Sequence, residues 1–478
     1  MLPYAPIYAF VQHLAPTWCT TQQATFAHLI SALLERENLA LSDLARAFPR
    51  PTQRLHGRLK RLERFLDNPR LDEAALFFRW LKLSYRFGED APTAAGEPPL
   101  VPLLLDTVYF EPFAMLVCTV PCGSRGLPVA LTTYHRQALD ACFAPRASWP
   151  DAAAPNPPRP RRHRATRGKA QPAPFLSQNQ IEEALVDYVF ALLSPALVGV
   201  TVADRGFARA EFFRFHRDRR RAFVIRFDAQ TSIRLPAPLA PGRPSAGLPA
   251  DVLGLQPGER VWCPRAFYGK EDPVPLAVLA VWDPSQKEPW YLASTLAEAE
   301  QVEALYRWRM RLECANRDEK TGVILREGGD RLALTNIVHL HRLLLALCAA
   351  EWLCALVGLQ ARADLPRADS APLQPPPPVR TLDELIAPAL LDDGPAPPPE
   401  VVPHRGERPK PPAWLRRFVA RGPLSYVRLG REVLRSPDLH VIVHRLIRWL
   451  AAYLWSWVPL WHPPQLRYRV RAWWADTS

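Results

Sequence analysis

Tyr306, Arg309, Glu313 and Lys320 stand at offsets of three, seven and fourteen within one helix-like stretch, residues 297–320. At about 3.6 residues per turn these four positions share a stripe about 60° wide. The row joins a phenol, a guanidinium, a carboxylate and an ammonium. A carboxylate flanked by phosphate-binding cations is the equipment of metal-assisted chemistry on a phosphodiester. Leu305, Trp308 and Leu312 fall on a neighbouring stripe and are expected to pack inward. The chain has only seven lysines, so a lysine at a set position on this helix is informative.

Two more acids stand where a sheet would present them. Val101–Val108 is an apolar run that carries Asp106 and reads as a buried central strand. Phe113–Val120 and Leu127–Tyr134 follow as strands, with residues 121–126 as the turn between them. Leu197–Ala203 is a second buried strand and ends at Asp204-Arg-Gly-Phe207. An acid at the carboxyl end of a strand sits where α/β sheets place their active sites. An unpaired carboxylate there is costly without a metal or a cation. The ordinary alternative for each acid alone is a turn cap.

The spacing Tyr-x2-Arg-x3-Glu-x6-Lys resembles the signature of bacterial DDE transposases of the IS-four type. Asp106-Thr107 and Asp204-Arg-Gly-Phe207 are similar to the family's other acidic positions. The resemblance covers about residues 20–360 in layout. It implies an α/β fold: a ribonuclease H-like catalytic core, a mixed sheet with flanking helices, interrupted by a β-rich insertion. It implies Asp106, Asp204 and Glu313 as catalytic residues that ligate two Mg2+ or Mn2+ ions, for which an oxygen-only set is suited. Arg309 and Lys320 are similar to positions that hold backbone phosphates beside the cut, and Tyr306 to one that hydrogen-bonds a phosphate. Arg205 adds a further phosphate contact. In relatives a Trp of the β insertion stacks on an extruded base, and Trp262 and Trp282 are the candidates here, each with core packing as its ordinary reading.

The implied reaction is cut-and-paste DNA transposition of an insertion sequence. Hydrolysis nicks the element end, the freed 3′-hydroxyl attacks the opposite strand to form a hairpin, and the opened ends join target DNA. The implied partners are double-stranded terminal inverted repeats, target DNA and a second copy of the chain in a homodimeric synaptic complex. The implied setting is the bacterial cytoplasm at the nucleoid, with no membrane. Two alternatives stay open: a repurposed, catalytically inactive transposase that only binds DNA, and a two-metal nuclease without strand transfer.

Composition agrees with a polyanionic partner. Lys+Arg is 60 against 47 for Asp+Glu, a net charge of +13 over 478 residues. The eight cysteines include no Cys-x2-Cys pair, which argues against zinc and disulfide frameworks and for reduced thiols. Two apolar runs, 343–359 with Glu351 and 446–461 with Arg448 and Pro459, fall short of an uninterrupted membrane span and read as core helices.

In chain order, residues 1–95 read as a helical, DNA-binding N-terminal domain. Leu41–Phe48 is a short helix with Ser42 as its expected N-cap, and residues 52–65 a basic helix with Arg54, Arg58 and Arg61 facing DNA. Residues 96–362 are the catalytic domain. Within it, 143–176 is a flexible Pro/Arg insertion, 178–193 a helix and 228–290 the β-rich insertion. Residues 363–413 are a Pro-rich linker. Residues 414–478 are a basic, Trp-rich segment, a small helical tail expected to dimerise or dock on the core.

Overall fold

The computed structural model describes residues 4–36, 39–48, 54–84, 100–110, 112–122, 125–136, 142–143, 177–193, 197–235, 247–320, 336–363, 380–381, 426–436, 442–444 and 446–447, with the backbone alone at 110, 122, 125, 142–143, 311–320, 362–363, 380–381 and 426–428. Two compact units emerge. The first is drawn from Met1–Val202, Arg307–Arg362 and Leu424–Arg469, the second from Ala203–Tyr306, Ala363–Pro423 and Val470–Ser478.

The first unit opens with helices α1 (Tyr4–Leu14), α2 (Thr20–Arg36), α3 (Leu41–Ala47), α4 (Leu55–Leu66) and α5 (Glu73–Ser84). Their apolar residues close on an aromatic centre in which Trp18 meets Phe26 at 5.1 Å and Phe65 at 6.1 Å. In α4 the residues Leu62, Phe65 and Leu66 are buried, Lys60 and Arg64 are exposed, and Arg58 and Arg61 are half-buried. Ser42 is not the cap of α3. The helix begins at Leu41 and already includes Ser42, so Ala40 takes the cap position and offers no side-chain acceptor. The other end of α3 is tied down by Arg58, whose Nη1 lies 3.2 Å from the carbonyl of Arg46 and 3.3 Å from that of Phe48.

Strands β1 (Leu100–Phe110), β2 (Phe113–Cys122), β3 (Arg125–His135) and β4 (Cys142–Phe143) form an antiparallel meander. Helix α6 (Gln178–Leu192) then crosses over to β5 (Val198–Ala203), which pairs with β1 in parallel. The order is β4-β3-β2-β1-β5, a mixed sheet of the kind the sequence calls for. Residue 143, expected to begin the Pro/Arg insertion, is strand; residues 144–176 lie outside the described residues.

In the second unit a 3-10 turn (Arg205–Phe207) leads into α7 (Ala210–Asp218) and β6 (Ala222–Phe227). Strands β7 (Ser232–Arg234), β8 (Leu248–Pro249), β9 (Arg260–Tyr268) and β10 (Val274–Val281) fall in the stretch expected to be β-rich, and β11 (Trp290–Ser294) follows. The order is β6-β11-β10-β9-β7-β8 with antiparallel pairing throughout. The signature stretch is α8 (Ala299–Lys320), and α9 (Ile337–Ala363) comes after it.

By length and apolarity α9 would cross a membrane, yet 78% of its apolar window is buried within the protein. Polar tethers hold it there: Trp352 donates from Nε1 to the carbonyl of Pro128. Of the expected proline linker, Arg380–Thr381 form a short strand, β12, paired in parallel with β9. Helix α10 (Tyr426–Arg435) docks on α9. A Cβ at Gly430 would lie 1.7 Å from the carbonyl oxygen of Cys354, so only glycine permits this approach. Leu429, Val433 and Leu434 are buried there, and Arg435 donates to the carbonyl of Leu34 at 2.9 Å. The tail thus docks on the core at this helix; the tryptophans from 449 onward lie outside the described residues.

Candidate active site

Asp106 lies near the end of β1, half-buried, with its Oδ1 accepting from the N–H of Thr107 at 2.9 Å. Asp204 follows β5, also half-buried, and its Oδ1 accepts from the N–H of Gly206 at 2.9 Å, capping the 3-10 turn. Asp204 therefore does some of the local backbone work of a turn acid, whereas Asp106 sits inside β1 opposite Val117 of β2. The last paired rung of the parallel strands is Leu104 opposite Val202, and each acid comes two residues after its own member of that rung. Glu313 is in α8, where its side chain lies outside the described residues, as does that of Lys320. Among the described residues no three His, Cys, Asp or Glu side chains gather closely enough to hold an ion. The donor set of the triad is all carboxylate oxygen, which fits Mg2+ or Mn2+ and is ill suited to zinc or copper.

The first half of α8 is seated more deeply than its sequence suggests. Leu305 is buried as expected, but Trp308 is only half-buried, whereas Tyr306 is 0% and Arg309 7% exposed. Tyr306 and Arg309 therefore lie inward, together with Val302. Tyr306 packs edge-on against Trp290 of β11, with ring centroids 5.2 Å apart. Arg205, by contrast, is exposed, with Asp228 3.9 Å away as a loose ion-pair partner.

Arg260 and Glu303 form a contact that sequence reading overlooked. The guanidinium of Arg260, at the start of β9, meets Glu303 of α8 at 2.6 Å, and their side chains are 3% and 6% exposed. A buried pair of this kind fixes the register of a helix against a strand. The one sequence signal was a glutamate on the inward stripe, one turn before Tyr306. At the other edge of the unit, Ser294 donates to the carbonyl of Phe223 at 2.9 Å and Thr295 accepts from its N–H at 3.1 Å, joining the end of β11 to β6.

The two tryptophan candidates differ. Trp262 lines a cavity of about 250 Å³ with Arg265, Pro275, Ser294 and Thr295 among its neighbours. Trp282 donates its indole N–H to the carbonyl of Gln286 at 3.2 Å and so serves a turn. Arg54 occupies the exposed N-cap position of α4 without a side-chain cap bond, and Arg61 donates from Nε to Thr25 Oγ1 at 3.1 Å.

Helix α7, which follows Asp204, rests on His216. The ring is fully buried, its Nδ1 donates to the carbonyl of Phe212 at 2.9 Å, and Phe212, Phe215 and Phe223 surround it edge-on. Burial lowers its pKa from the ordinary 6.5 to about 3, against the raising effect of that hydrogen bond, and Arg221, Arg219 and Arg209 lower it further. The unfolded chain therefore binds a proton near pH 6.5 that the folded chain refuses until about pH 3. Stability contributed by the neutral ring is full above pH 6.5 and falls as the pH drops from 6.5 toward 3. Urea titrations at a series of pH values are expected to show this acid loss, and His216→Phe is expected to flatten it. An unchanged slope in that variant refutes the assignment.

Residues 178–350 match a family model described as "Transposase DDE domain". No curated protein matches the chain. The matched span runs from the start of α6 into α9 and includes Asp204, Arg205, Trp262, Trp282 and the whole of α8; Asp106 and α1–α5 precede it.

Proposed function

We propose that the chain is a DDE transposase that excises and inserts a DNA element by cut-and-paste transposition. One observation carries this reading: the span matched by the transposase family holds both the strand-end acid Asp204 and α8, the helix that bears the Tyr-Arg-Glu-Lys spacing. Asp106, Asp204 and Glu313 are the residues that would hold two divalent ions. Such ions supply charge neutralisation at the attacking and leaving oxygens of a phosphodiester. The equal offset of Asp106 and Asp204 from the rung Leu104–Val202 supports their acting together.

Lys320 and the exposed Arg205 hold the scissile strand by its phosphates. We assign Tyr306 and Arg309 to the seating of α8, because their burial puts that role first. Water attacks the phosphodiester at the element end, and the 3′-hydroxyl it frees attacks the opposite strand; a second water opens the resulting hairpin and returns the 3′-hydroxyl, which then attacks a target phosphodiester and displaces a target 3′-hydroxyl. The active species is a homodimer that synapses two ends in the bacterial cytoplasm. Trp262 rather than Trp282 receives the extruded base, since its cavity offers an aromatic wall beside Arg265.

The test is a linear duplex that carries the element's own end, incubated with the purified chain and Mg2+ or with chelator. The expected result is a Mg2+-dependent nick at the end, followed by joining to a plasmid. A mobility shift with no nick supports the repurposed DNA-binding protein instead, and cleavage with no joining supports a nuclease. Trp262→Ala is expected to lower hairpin yield about tenfold or more while nicking persists, from the stacking lost. Trp282→Ala is expected to leave hairpin yield intact, and equal yields from the two variants remove Trp262 from this role.

A further inference from the structure

Helix α7 ends on a paired C-cap. The N–H of Arg220 donates to the carbonyl of Arg217 at 2.8 Å, and that of Arg221 to the carbonyl of His216 at 2.9 Å. This pair of bonds puts the residue after the cap in the left-handed region, where glycine or asparagine is at ease. Arg220 stands there instead, with φ 53°. Among the described residues it is the one non-glycine residue with a positive φ. A side chain with a Cβ costs stability in that conformation. The side chain of Arg220 is exposed, so no burial of it offsets that cost. A strained residue kept at the surface points to a role outside folding.

The neighbouring residues supply an independent observation. Residues 217–221 read Arg-Asp-Arg-Arg-Arg, four cations against one acid. The guanidinium of Arg219 lies over the ring of Phe215, 4.1 Å from its centroid, and that of Arg221 lies 5.6 Å from the same ring. A ring orients a guanidinium without supplying a counter-charge. Arg214, earlier on the same helix, is different: Asp272 meets it at 2.5 Å. The macrodipole favours cations at a helix C-terminus, but Arg219 and Arg221 answer that demand without a positive φ. It leaves Arg220 unexplained.

We propose that the end of α7 is a duplex DNA contact, in which Arg220 pairs with a backbone phosphodiester away from the cut. The inference rests on the transposase reading and adds a place where the second unit grips its substrate. Helix α7 follows Asp204 through the 3-10 turn, and its nine residues span about 13 Å, well within the length of one duplex turn. One DNA therefore reaches both ends of this helix. An exposed cation holds a free anion weakly, whereas a polyanion meets several cations at once. The contact reads charge rather than base sequence.

The experiment measures duplex binding by the full-length chain in chelator across a salt series, with urea unfolding of each variant alongside. Arg220→Gly is expected to raise the urea midpoint, because glycine relieves the backbone, and yet to weaken duplex binding. The slope of log K against log salt is expected to become shallower by about 0.9, the value for one phosphate contact. Arg220→Asn, also suited to the left-handed region, is expected to move both readouts the same way and decides alone should the glycine variant fail to fold. Arg220→Lys keeps the charge and is expected to keep the wild-type slope. A raised midpoint with an unchanged slope in the glycine and asparagine variants overturns the proposal while the transposase reading stands. A wild type that binds no duplex overturns both. No cutting is needed for the measurement, so a chain that binds without cleaving still decides it.

Discussion

Asp106→Ala, Asp204→Ala and Glu313→Ala are each expected to lower Mg2+-dependent cleavage by about a thousandfold or more, while duplex binding in chelator persists. A divalent ion at a phosphoryl centre is worth several kcal/mol of charge stabilisation, and loss of a carboxylate ligand forfeits much of it. The alanine variants alone are ambiguous, because Asp106 and Asp204 also accept backbone hydrogen bonds from Thr107 and Gly206. Asparagine separates the two roles. Asp106→Asn and Asp204→Asn keep an acceptor for those N–H groups but lose the anionic oxygens that a hard cation demands. Folding stability is expected to match the wild type in the asparagine variants, and cleavage is expected to be as poor as with alanine. Recovery of cleavage in either asparagine variant would reduce that acid to a local backbone acceptor and dismantle the triad.

How far the sequence reached depends on the kind of signal each element carries. Apolar runs with period two or none marked β1, β2, β3 and β5 to within a few residues, because a buried strand must be apolar on both faces. The acids at the ends of two of those runs, and the fixed spacing in α8, were legible because chemistry constrains residue type more tightly than packing does. The face of α8 was not. Tyr306 and Arg309 are amphipathic, and a phenol or guanidinium can be buried along its body, so residue type alone does not show that they lie inward. Ser42 shows the other limit. Its type suited a cap, but the helix began at Leu41, and element ends slide by a residue where no single side chain fixes them. Contacts such as Arg260 with Glu303 join residues far apart in sequence and leave no periodic trace at all.

Glu73→Ala is expected to destabilise the first unit by about 3–5 kcal/mol, the cost of leaving buried cationic and polar partners without their acceptor. Glu73 opens α5 and is 4% exposed. Its Oε1 lies 3.3 Å from Nε of Arg342, and its Oε2 lies 3.0 Å from Nε2 of His341, both on α9. A carboxylate only accepts, so Nε2 of His341 carries a proton toward Glu73, and Nδ1 lies 3.2 Å from Thr133 Oγ1 of β3. Arg342 donates in addition to the carbonyl of Leu66 at the end of α4. One carboxylate therefore binds α5 to α9, and through α9 to the sheet and to the helix that carries Arg54, Arg61 and Arg64. Glu73→Gln keeps an acceptor and the shape while removing the charge, so its expected cost is smaller, about 1–2 kcal/mol. Urea unfolding of the two variants measures the difference. If alanine costs no more than glutamine, the network is ordinary packing. If alanine also weakens duplex binding under conditions where the chain remains folded, the same carboxylate sets the position of the N-terminal helices relative to the sheet strand that bears Asp106.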